Sequence, residues 1–87
     1  MKSIIKNYFF SELLISIMEE DDKSVRSLAK EANISPSVIQ DLRSGKQQDI
    51  KVSNLIKIVE TLGYTVVLQR GAEQLTLHDE IKGNKHN

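Results

Sequence analysis

Cysteine is absent from the 87 residues, which excludes a disulfide framework, a thiolate nucleophile and a cysteine-based zinc site. That absence fits a cytosolic protein. Long apolar runs are absent as well. Asn7, Ser11, Glu12 and Ser16 interrupt the apolar residues near the N-terminus, and no small-residue cleavage site follows, so no signal peptide is read there. Nothing approaches the roughly 18 consecutive apolar residues that a transmembrane helix needs. The expectation is a soluble, cytoplasmic protein. There is one proline and there are four glycines, with no internal repeat and no low-complexity segment.

Net charge is absent too, since twelve Lys and Arg balance twelve Asp and Glu. That balance argues against a uniformly basic nucleic-acid binder. The distribution is uneven, however. Between residues 23 and 57, Lys23, Arg26, Lys30, Arg43, Lys46, Lys51 and Lys57 face only Glu31, Asp41 and Asp49. Glu19, Glu20, Asp21 and Asp22 form an acidic run that reads as a solvated connection. A chain of this length makes one domain and buries only about 60–65% of its unfolded surface, so a further interface would add stability. Dimerisation follows as an expectation from size alone.

What is present is a helical pattern that changes character near the C-terminus. A first helix is expected over about residues 4–20, with Ile5, Phe9, Leu13 and Ile17 on a stripe widened by Phe10, Leu14 and Met18. Ser24 is placed to cap a second helix running to about Ala32, and Asn33 stands where the backbone must turn out of it. Ser35 is placed to cap a third helix with Pro36 at its first position, and Gly45 to stop it. A fourth helix begins between Asp49 and Ser53, carries Val52, Leu55, Ile56, Val59 and Leu62 on one face, and ends at Gly63. Then the period becomes two. Residues 64–70 and 74–77 read as strands, with Gly71-Ala72-Glu73 able to turn one onto the other. Whether they pair within one chain or between two is open. A single domain is expected over 1–77, with strands in 64–77 and a flexible tail over 78–87.

The segment from Ser24 to Gly45 is therefore two short helices around a tight turn, with the second displayed. It reads as a helix-turn-helix, which points to sequence-specific DNA binding. A helix entering the major groove offers its outward residues to base edges, here Ser37, Gln40, Asp41 and Ser44. Ser24, Arg26, Lys30, Ser35, Arg43, Lys46 and Lys51 are the candidates for DNA phosphates. Tyr64, Val66, Val67 and Leu68 are the candidates for a dimer interface. His78 and His86 have no partner at metal spacing, so no metal site is read, and no cofactor either. No catalytic arrangement is present, and the chain is not expected to be an enzyme.

These residues resemble the Cro/repressor-type (XRE) helix-turn-helix family. The likeness runs through Leu28-Ala29, Ala32-Asn33, Ile34-Ser35, Ile39, Leu42 and Gly45-Lys46, then more loosely to Gly63. It implies a mainly α, lambda-repressor-like domain of four to five helices with a C-terminal β-strand or hairpin. The segment NLIKIVETLGYTVVL is similar to the end of HipB-like and some HigA-like antitoxins, in which a terminal strand pairs across a dimer axis. The resemblance thus implies a homodimeric repressor on a pseudo-palindromic double-stranded operator, and the antitoxin of a toxin–antitoxin pair with a toxin as partner. A phage- or plasmid-type repressor without a toxin, and a protein-interaction module that has lost DNA binding, are the alternatives. Two positions depart from the family pattern. Val25 stands where Gln is usual, and Pro36 where Arg, Gln or Lys is common; both remove expected DNA contacts.

Overall fold

The first helix starts later than its apolar stripe. In the computed structural model, which describes residues 7–78, residues 7–9 are not helical and α1 spans Phe10–Glu20. The Glu12 carboxylate accepts a hydrogen bond from the Phe9 N–H at 3.2 Å, and Phe9 itself is extended (φ −72°, ψ 154°). A capped end at this position fixes the start whatever the hydrophobic period upstream. Phe9 is consequently 78% exposed, not part of the buried stripe, while Leu14, Ile17 and Met18 are buried. The expected helical residues 4–6 lie outside the described residues.

Helices α2 (Val25–Ala32), α3 (Pro36–Ser44) and α4 (Val52–Thr61) follow. Ser24 caps α2 as expected, its hydroxyl accepting from the Ser27 N–H at 3.0 Å. Asn33 ends α2 in the left-handed region (φ 59°), with its own N–H bonded to Lys30 and that of Ile34 bonded back to Ala29. Gly63 closes α4 by the same pair of bonds, to Glu60 and from Tyr64 to Val59. Asp22 (φ 55°) closes α1 likewise, through Asp22 to Glu19 and Lys23 to Met18. Each is a Schellman ending. The one at Asp22 places a β-carbon in a left-handed conformation and a carboxylate at a helix C-terminus, both unfavourable. Asp22→Gly is therefore expected to stabilise the domain by about 0.5–1 kcal/mol, read as a higher urea midpoint. An unchanged or lower midpoint would contradict this account of the turn.

Ser35 corrects an expectation. Its backbone has the cap conformation, but its hydroxyl makes no cap hydrogen bond and instead pairs with the Ser37 hydroxyl at 2.9 Å. Gly45 ends α3 at φ 81°.

Helix α3 packs against α1 and α2, and α4 packs against α2. Leu14, Ile17, Met18, Leu28, Ala29, Ile39, Leu42, Ile58 and Leu62 form the core. The buried face of α4 is Ile56, Ile58 and Val59, continued by Leu62, with Leu55 half-buried. Val52 is 59% exposed, contrary to its expected inward place. As first residue of α4, it leans past the helix end, beyond the neighbours that cover the later turns.

Strands β1 (Val66–Arg70) and β2 (Glu73–Leu77) pair antiparallel within the chain. The loop is two residues, Gly71-Ala72, one shorter than expected, so that Glu73 joins β2 opposite Arg70. Gly71 takes φ 60° at the first loop position, the place a type II′ turn reserves for glycine. Directly opposed residues share a face, which puts Val66, Leu77, Leu68 and Leu75 together on one side. Of the ten strand residues only Val66 is even half-buried. The hairpin touches the helices mainly through α4 and through a 3.4 Å contact between His78 Nδ1 and a Glu60 carboxylate oxygen. His78, expected to open the tail, is thus held at its start; residues 79–87 lie outside the described residues.

No helix among the described residues is long and apolar enough to cross a membrane.

Candidate nucleic-acid interface

Helix α3 has a buried side and an exposed side. Ile39 and Leu42 are buried, at 0% and 1% exposure, and Val38 is half-buried. Ser37, Gln40, Asp41 and Ser44 follow at intervals of three, one and three residues, the spacing of a single helix face. That face lies opposite Ile39 and Leu42, and its members are exposed except Asp41, which is half-buried. The four base-reading candidates therefore stand together on one stripe.

Their hydrogen bonding differs. Ser44 donates to the Asp41 carbonyl at 3.2 Å and accepts from the Lys46 N–H at 3.3 Å, which ties its hydroxyl into the end of the helix. The Ser37 hydroxyl is shared with Ser35. Gln40 is exposed, so its amide is presented with both donor and acceptor.

The phosphate candidates fall into groups. Arg26 and Lys30 are exposed one turn apart on α2, and with Ser35 they border an open cleft of about 470 Å³ that also takes in Ala29, Asn33, Ile34 and Pro36. Ser24 is exposed at the α2 N-terminus, with its hydroxyl occupied by the cap. Lys46 and Lys51 are exposed on the connection between α3 and α4. Arg43 is half-buried, and its Nε is sealed from solvent with no hydrogen-bond partner among the described residues, so only its terminal nitrogens are available. Lys23 is bound to Glu31 at 2.7 Å, which neutralises part of the basic excess.

Val25 has a structural reason for replacing the family's usual Gln. It is half-buried against the core. Sequence reasoning missed Gln47 and Gln48. The connection after Gly45 looks loose in sequence, yet the Gln47 N–H bonds the Asp41 carbonyl at 3.0 Å and its side chain donates to the Asp49 carbonyl at 2.8 Å. The left-handed Gly45 brings the chain back alongside α3, and the paired amides two residues later were the available signal. Both glutamines line a cavity of about 370 Å³ together with Phe9, Phe10, Leu42 and Gly45.

Three of the dimer candidates sit on the hairpin, and Tyr64 lies between α4 and β1. Tyr64, Val67 and Leu68 are exposed at 49%, 43% and 59%, and Val66 is half-buried. Val67 belongs to the face opposite that of Val66 and Leu68. Among the described residues, no group of three His, Cys, Asp or Glu side chains converges to hold a metal.

A helix-turn-helix family model matches residues 14–68, from the middle of α1 into β1. No curated protein matches the chain.

Proposed function

The chain belongs to the helix-turn-helix family, a family of DNA-binding transcription regulators, and from that membership we propose that it is a sequence-specific repressor acting as a homodimer on a pseudo-palindromic operator. The observation that carries this reading is the polar stripe of α3, displayed opposite a fully buried face and flanked by exposed cations on α2 and on the following connection. Gln40 pairs with an adenine edge, and Arg26, Lys30, Lys46 and Lys51 neutralise phosphates. The exposed apolar side chains of the hairpin supply the contact between protomers, which sets two α3 helices about one DNA turn apart. Within this reading we assign the role of antitoxin and autorepressor of a toxin–antitoxin pair. What supports that assignment is the resemblance of NLIKIVETLGYTVVL, which runs from the fourth helix into the first strand, to the end of HipB-like and some HigA-like antitoxins.

Gel shift against the DNA upstream of its own gene, across a salt series, tests the proposal. Four neutralising cations in each protomer correspond to a log–log salt slope of about −7 for a dimer. Gln40→Ala is expected to relax preference at one base step, while Lys30→Ala weakens all sequences alike and flattens the slope by about one per protomer. Absence of binding at low salt, or a slope near zero, would overturn the repressor reading. A gene with no small or kinase-like neighbour would remove the antitoxin assignment alone.

A further inference from the structure

The tip of α3 carries an apolar group where its family commonly carries a hydrogen-bonding one. Pro36 is exposed at the first helical position, and its ring offers neither donor nor acceptor. On either side of it the hydroxyls of Ser35 and Ser37 satisfy one another at 2.9 Å. Pro36 is also part of the cleft between α2 and α3, whose floor is apolar through Ala29 and Ile34 and whose rim is cationic through Arg26 and Lys30. An apolar shelf beside two cations suits a ligand that places a small apolar group next to a phosphate. In the major groove the four bases present a single apolar substituent, the 5-methyl group of thymine, and it lies close to the sugar–phosphate backbone.

We propose that Pro36 is a specificity-determining residue that reads a thymine 5-methyl group at the outer edge of each half-site, with Arg26 and Lys30 holding the adjoining phosphate. The inference rests on the DNA-binding reading above and adds a base identity to it. Selection there comes from burying one methyl group, and the hydrogen-bonding residues of the stripe read the positions further in. A cytosine methylated at carbon 5 presents the same group and satisfies the same contact.

The experiment uses the full chain and duplexes enriched by it from random sequence. Each conserved thymine is replaced in turn by deoxyuridine, which removes only the methyl group. One thymine per half-site is expected to bind about fourfold more weakly as uracil, the value of one buried methyl. Replacing that thymine–adenine pair by cytosine–guanine weakens binding, and methylating the cytosine restores about fourfold. In Pro36→Ala the thymine-to-uracil difference disappears, while binding keeps its salt dependence. Uniform binding of all the uracil duplexes overturns the proposal, and so does an undiminished difference in Pro36→Ala. Because the uracil scan alters only the DNA, it decides the matter even if the variant folds poorly. A protein that enriches no sequence overturns the DNA-binding reading and this inference with it.

Discussion

Ile39→Ala is expected to remove a large share of the domain's stability, whereas Gln40→Ala, one residue further on, leaves it unchanged. Ile39 is completely buried in the cluster that joins α1, α2 and α3. Truncating such an isoleucine removes its transfer free energy and leaves a cavity, together costing about 3–4 kcal/mol. Total stability for a chain of this size is on the order of 5–10 kcal/mol, and small domains fall toward the lower end. One substitution therefore consumes much of the margin. Ile39→Val, which removes a single methyl, should cost about 1 kcal/mol. Urea titration followed by circular dichroism measures all three proteins. A loss under about 1 kcal/mol in Ile39→Ala would mean that α3 is not anchored as described.

The double substitution Leu68→Glu with Leu75→Glu is expected to do the opposite, leaving the fold intact and separating the protomers of the proposed dimer. The two leucines face each other across the hairpin and are 59% and 53% exposed, so neither contributes to the helical core. Two carboxylates per chain on that face make a symmetric apolar contact untenable, because four negative charges would be brought together without partners. Loss of the dimer also separates two linked DNA contacts, and operator affinity should fall by about a hundredfold or more. Sedimentation velocity and gel shift on the same samples read the two effects. A variant that stays dimeric places the protomer contact elsewhere, and one that becomes monomeric with full affinity shows that a single copy suffices.

Local signals carried most of what the sequence revealed. Ser24, Asn33, Gly45 and Gly63 each mark a helix boundary through a requirement of their own backbone, and the structure places a boundary at each. The stripe Ser37, Gln40, Asp41 and Ser44 was legible because helical period alone separates it from Ile39 and Leu42. Features that depend on competition between partners were not. The Glu12 carboxylate fixes the start of α1 against an apolar pattern that runs straight through Phe9. The Ser35 hydroxyl makes no cap bond and pairs with Ser37 instead. Asp22 sits inside an acidic run that reads as solvent-facing, and nothing local announces its left-handed backbone. Val52 is exposed where an inward place was expected, because burial depends on where a helix begins relative to its neighbours. Pairing of the two strands within the chain is a matter of a two-residue loop, which the sequence left open.

The packing of α3 has a consequence for control. Its inward residues are among those that hold α1 and α2 together, so the helix cannot tilt or slide without dismantling the domain around it. The element proposed to touch the bases and the frame that carries it are one packed piece. In the proposed dimer, operator occupancy is then adjusted from outside that piece, by altering how far apart two such pieces stand or how they are turned relative to each other. The hairpin, tied to the frame mainly along α4 and at His78, is the part of the molecule whose attachment leaves room for such an adjustment.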